Sequence, residues 1–217
     1  FFSGKPPKFC PTDIISLARI GGAPAIEKLC EKIFLEEIRA IEKHLRSYGQ
    51  RLVLREHSHS SFLVDDDADS TIRRTIPQIL DEVFQQVSIV TVRHPIDSFL
   101  SLRHNGWIHF EPFTFDEYCR RYLIFLGSNE DAPIFKYEDL LENPNEIIQK
   151  ICDYLAIPFN PDFLDYIEII SITGDSGRSS SAISKRERRP VDDALFAEVM
   201  ASSHFKDICE LLKYEGV

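Results

Sequence analysis

The sequence predicts an α/β fold, one layered domain in which a parallel β-sheet is flanked by helices. Short apolar runs rich in β-branched residues alternate with amphipathic helical segments, the order that parallel strands joined by crossover helices require. Several helix starts carry capping residues just ahead of the apolar stripe. A chain of 217 residues buries one core without a metal or disulfide staple.

Each element follows from local pattern. Residues 1–13, "FFSGKPPKFCPTD", lack periodicity and read as irregular structure feeding a helix capped near Thr12 or Asp13. In 25–47, Ile26, Leu29, Cys30, Ile33, Phe34, Ile38, Ile41 and Leu45 form a helical stripe that Gly49 ends. "RLVLREH" (51–57) reads as a strand, the acidic run Asp65, Asp66, Asp67, Asp69 as a solvated loop, and 70–86 as a helix. "VSIVTV" (87–92) is the next strand, followed by a helix opened by Pro95, whose missing N–H costs nothing in a first turn. Thr114 and Glu117 stand in capping-box spacing at the start of a helix over 114–126. "PIFKY" (133–137) is a third strand. Asn143, Pro144 and Glu146 then mark the start of a helix within 142–159, and a closing helix spans 192–213.

Charge and composition narrow the function. A formal net charge of −10 opposes the broad basic face that a general nucleic-acid binder needs, so any anion site must be local. The five cysteines, Cys10, Cys30, Cys119, Cys152 and Cys209, are scattered and mostly lie in amphipathic runs, which fits a reducing compartment. There is no apolar run near the roughly eighteen residues of a membrane helix, and no signal-peptide pattern. The expectation is a soluble, cytoplasmic protein with neither nucleic-acid nor membrane partners.

One segment calls for a local anion. In "VRHPIDSFLS", Arg93 leaves the end of a strand and Pro95 opens a helix, at the sheet edge where open parallel sheets bind ligands. Free N–H groups and the helix dipole favour negative charge there. From Pro95 to Ser101 the rise is about 9 Å at ~1.5 Å per residue, so Arg93 and Ser101 can converge on one phosphate. The alternative is a helix-capping arginine paired with Asp97.

These residues resemble a sulfotransferase family that uses 3′-phosphoadenosine 5′-phosphosulfate. In that family an Arg ending a strand and a Ser eight residues later hold the 3′-phosphate of the nucleotide, the spacing of Arg93 and Ser101. "IFKYEDLLENPNEIIQKICDYLAIPF" (134–159) is similar to the strand, Tyr-Glu-Asp-Leu turn and helix that follow. The resemblance runs from about residue 51 onward and implies a P-loop NTPase-like sulfotransferase fold. It further implies a sulfuryl donor that becomes adenosine 3′,5′-bisphosphate; the expected acceptor is a small molecule or a glycan, and nothing in the sequence separates a sugar from a lipid, an alcohol or a peptide side chain.

The resemblance also places the chemistry. It puts the general base on His57 and a basic partner on Arg55, with His59 and Glu56 as alternatives for the base. His57 and His59 alternate as metal ligands can, but there is no third ligand at suitable spacing, so no metal is expected. "GDSGRSSSAISKRERRP" (174–190) resembles the family's Gly-rich basic lid, with Gly174 and Gly177 approaching the nucleotide and Arg178 reaching its 3′-phosphate. Lys185, Arg188 and Arg189 are weaker candidates for that contact. Trp107, Phe110 and Phe113 are candidates for the acceptor pocket, since aromatic rings make rigid apolar walls.

The chain departs from the family in one respect. The strand followed by a Pro-Arg/Lys-Ser-Gly-Thr-Thr phosphate loop is not found in it, and "FSGKPPKF" loses N–H donors to its two prolines. The expectation is therefore that about 30 to 50 residues, one strand–loop–helix unit, precede Phe1. Two other readings stay open: a catalytically degenerate nucleotide-binding protein of this fold, or a kinase-like nucleoside phosphate-binding enzyme.

Overall fold

The computed structural model describes residues 25–56, 62–63, 75–166 and 187–215. The helix expected near Thr12, the acidic run 65–69, His57, His59, Gly174, Gly177, Arg178 and Lys185 lie outside them. The described residues divide into two compact units: 25–56 with 75–86, and 62–63 with 87–166 and 187–215.

In the first unit, α1 (Ile26–Ser47) is the amphipathic helix its stripe predicts, ended by Tyr48 and by Gly49 at φ +70°. Cys30 and Ile38 are buried, whereas Leu29 and Ile41 of the same stripe are exposed. Of the expected helix 70–86, residues 70–74 lie outside the described residues, and in the rest α2 covers only Ile76–Leu80, opened by a full capping box between Thr75 and Gln78. The predicted strand 51–57 is corrected, because residues 51–56 form no strand. A strand exists only where a second backbone completes its ladder, and Val53 is 71% exposed.

The second unit holds a parallel two-stranded sheet, β1 (Val90–Val92) beside β2 (Ile134–Lys136), with Val90 opposite Ile134 and Val92 opposite Lys136. The crossover between them contains α3 (Pro95–Asn105) and α4 (Phe115–Gly127). This is the α/β class that the alternation of segments predicts. Thr114 caps α4 by accepting from the Glu117 N–H. After β2 come α5 (Tyr137–Glu142) and α6 (Pro144–Tyr154), so Tyr137 opens a helix instead of ending the strand. Asn143 stands at the N-cap of α6, but its side chain makes no capping bond.

The expected closing helix is two helices, α7 (Asp193–Ala201) and α8 (Ser203–Leu212), each opened by its own cap. Asp192 accepts from the Leu195 N–H, and Ser202 accepts from the Phe205 N–H. The core centres on α4, whose fully buried Phe115 and Cys119 belong to one cluster with Ile96, Val199 and Ile208. Burial of such side chains contributes about 1.5–3 kcal/mol each. The outcome is a rigid backing for the β1–α3 corner, which carries Arg93.

Candidate functional site

Arg93 follows β1 directly, at the carboxyl edge of the parallel pair, and Pro95 opens α3 two residues later. The Arg93 side chain is half-buried, with its guanidinium carbon 5.3 Å from the centre of the Tyr137 ring. Such stacking satisfies the cation by the ring quadrupole and leaves the N–H fork open. Among the described residues no carboxylate pairs with Arg93. Asp97, its partner in the capping alternative, instead receives both Nε and Nη2 of Arg188, at 3.1 and 3.2 Å.

That ion pair brings the described end of the basic segment to the first turn of α3. Two further contacts extend the attachment: Arg103 Nη2 donates to Asp192 Oδ2 at 2.8 Å, and Val191 packs on the core. Residues 188–192 are thus tied to α3 at both ends.

The peptide joining Arg93 to His94 is also bonded at both of its polar atoms. The Tyr122 hydroxyl donates to the Arg93 carbonyl at 3.0 Å, and the His94 N–H donates to Glu138 Oε1 at 2.8 Å. Burial is the main cause that pushes the Tyr122 phenol far above its usual range, so it remains a donor. Tyr214 donates to the other Glu138 oxygen at 3.0 Å. His94 is 6% exposed, with its ring between Phe205 and Tyr214 at 6.0 and 4.9 Å. Burial, assisted by the nearby Arg188 charge, holds its pKa below 6.5, so His94 is a neutral residue of the corner.

Ser101 is half-buried on α3, and its carbonyl accepts from Asn105 Nδ2 at 2.8 Å. Ser98, one position after Asp97, is half-buried. Trp107 is 38% exposed just past α3. Phe110 is buried, with the Arg121 guanidinium 5.0 Å from its ring centre, and is therefore a core residue. Phe113 is exposed on one side and tilted against Phe99 at 5.8 Å.

In the first unit, Arg55 is exposed and Glu56 half-buried. Glu56 Oε1 accepts from the Ile76 N–H at 3.3 Å, so this alternative base is an acceptor for the start of α2. Sequence reasoning missed His94, Tyr122, Glu138 and Tyr214. "KYEDL" flags Glu138 through its place after a strand end, while Tyr122 and Tyr214 carry no local signal at all.

No described helix is long and apolar enough to cross a membrane, and the described residues contain no cluster that could hold a metal ion. No protein-family model matches the chain, and no curated protein matches it. Among solved structures, a sulfotransferase domain from the curacin biosynthetic pathway is distantly similar, at 21% identity and a TM-score of 0.37. The match covers 65% of this chain and 59% of that domain, so this chain spans about three-fifths of the structure it matches.

Proposed function

We propose that the chain is a sulfotransferase domain that takes a sulfuryl group from 3′-phosphoadenosine 5′-phosphosulfate and passes it to a hydroxyl or amine. The reading is carried by Arg93, a guanidinium at the carboxyl end of a parallel strand, stacked on Tyr137 and left without a carboxylate partner among the described residues. The residues present fit a phosphate there. Behind Pro95, the Ile96 and Asp97 N–H groups have no intrahelical partner, and the α3 dipole favours an anion. Asp97 would oppose that anion, but Arg188 offsets its charge.

In this reading Arg93 and Ser101 hold the 3′-phosphate, and Arg178 reaches it from the segment that contains Gly174 and Gly177. The donor, when bound, supplies a sulfuryl group activated by a phosphosulfate anhydride. His57 takes the acceptor proton during in-line attack, the role of a general base. His59 is the substitute. Arg55 offsets negative charge that builds on the transferred group. Trp107 contributes a wall to the pocket of a small-molecule or glycan acceptor.

Isothermal titration of the whole protein with adenosine 3′,5′-bisphosphate tests this. Binding without magnesium is expected, whereas a kinase-like enzyme needs ATP and a divalent metal. Arg93→Ala should weaken that binding about ten- to hundredfold, the loss of a charged hydrogen bond of about 1.5–3 kcal/mol. His57→Ala should keep nucleotide binding and abolish turnover. No binding, or Arg93→Ala binding as tightly as the parent, would overturn the proposal.

A further inference from the structure

We infer that Glu138 is a positioning residue for the Arg93 anion grip, and that Tyr214 completes the clamp by holding Glu138. The inference rests on the reading of Arg93 as a phosphate ligand and adds to it what aims the guanidinium.

The Arg93–His94 peptide is not held by regular structure. The parallel ladder ends at Val92 opposite Lys136, and the first hydrogen bond of α3 runs from the Ser98 N–H to the His94 carbonyl. Its oxygen and its N–H go instead to side chains, Tyr122 on α4 and Glu138 on α5. A peptide unit is planar, so fixing both ends of its dipole fixes the two rotations that flank it, ψ of Arg93 and φ of His94. The direction in which the Arg93 side chain leaves the backbone is set by that plane.

Glu138 is itself fixed. Its second oxygen accepts from Tyr214, whose ring packs against His94 and lies 4.6 Å beneath Lys136 Nζ. Burial, and after it the Glu138 charge, pushes the Tyr214 phenol upward, which keeps it protonated and donating. The residue before Glu138 is Tyr137, the ring on which Arg93 stacks. One dipeptide at the start of α5 therefore supports both the backbone and the guanidinium of Arg93. A misaimed guanidinium loses a bidentate phosphate contact while the rest of the nucleotide site is untouched.

The test compares adenosine 3′,5′-bisphosphate with adenosine 5′-monophosphate, which differ only in the 3′-phosphate, by isothermal titration of the whole protein. Each variant's thermal unfolding midpoint is measured alongside. The parent should prefer the bisphosphate at least about tenfold, the worth of one charged hydrogen bond. A parent without that preference would overturn the reading of Arg93, and this inference with it. With the preference in place, Glu138→Ala should reduce it about tenfold and leave monophosphate affinity within about twofold. Glu138→Gln, which keeps an acceptor for the His94 N–H, should restore most of it. Tyr214→Phe should reduce it by about two- to fivefold, as the loss of one neutral hydrogen bond to the clamp. A preference unchanged in Glu138→Ala, whatever its melting point, would make Glu138 a strut only and overturn the inference. If Glu138→Ala does not fold, an unchanged preference in Tyr214→Phe overturns it equally.

Discussion

Two arginines of the same unit show what a sequence alone cannot separate. Arg121 is 0% exposed, yet its charge is closed off: Nε donates to Glu117 at 2.6 Å, Nη1 to the Phe62 carbonyl at 3.3 Å, and the Phe110 ring covers its face. Glu117 also takes two bonds from Arg120, at 2.7 and 2.9 Å. Those Arg120 bonds are the main cause that holds the Glu117 carboxyl below its usual range; burial opposes them and Arg121 adds to them. Arg93 is half-buried and stacked on one ring, with its hydrogen-bonding edge unclaimed by any described carboxylate. A charge whose donors are spent on the fold is structural, and one whose donors are left over is available to a ligand.

The comparison breaks most visibly at Glu117. Glu117→Ala breaks the buried pair with Arg121 by removing one of its members, and the expected loss is about 3–5 kcal/mol of stability, measured by urea unfolding. Arg93→Ala should change stability by no more than about 1 kcal/mol, since only a partly exposed ring contact is lost. On the proposed reading its effect falls on nucleotide binding instead. Were Arg93→Ala to destabilise the protein as much as Glu117→Ala, the division into structural and available arginines would fail.

A weaker link of the structural kind ties α4 to the α7–α8 junction. Asp116 accepts from Ser202 Oγ at 2.5 Å and lies 3.0 Å from His204 Nδ1. Burial alone would raise its carboxyl, but the bonds from Ser202 and His204 outweigh this and hold it below 3.8. A depressed carboxylate contributes stability that is present above its unfolded pKa and is lost as pH falls through the folded value. Asp116→Asn should therefore cost about 1 kcal/mol at neutral pH, and flatten the stability profile below about pH 4. An unchanged acid limb in the variant would remove Asp116 from this account.

What was legible in the sequence was what is local. Pro95, Thr114 and Pro144 mark helix starts because a cap acts within four residues, and β1 and β2 coincide with the apolar runs that predict them. Residues 51–56 failed as a strand because a ladder needs a distant backbone that no local pattern encodes. The apolar stripe continues on both sides of Ser202 and so predicts one closing helix, while the contact at the break comes from Asp116, 86 residues earlier. At the site, Arg93 was legible from its place at a strand exit. The bonds that hold its peptide come from residues 29 and 44 positions away, Tyr122 and Glu138, and those separations are visible only once the chain has folded.

The smallest expected effect tests the electrostatics of the corner. His94 is buried neutral with its pKa lowered, first by burial and then by Arg188, so the unfolded chain binds a proton more readily than the folded one. Stability is then fully present above 6.5, the ordinary value, and falls as pH drops below it toward the folded value. Arg188 pairs with Asp97 at a partly exposed position, so Arg188→Ala should cost less than about 1 kcal/mol of stability. It should also move the His94 titration upward, because it removes a repelling cation and leaves Asp97 and Glu138 to favour the imidazolium. Burial remains, so the midpoint should stay below 6.5. Proton NMR titration of the His94 ring in the parent and in Arg188→Ala reads the shift directly. A midpoint that does not move, or that moves down, would mean that the Arg188 charge does not reach the corner.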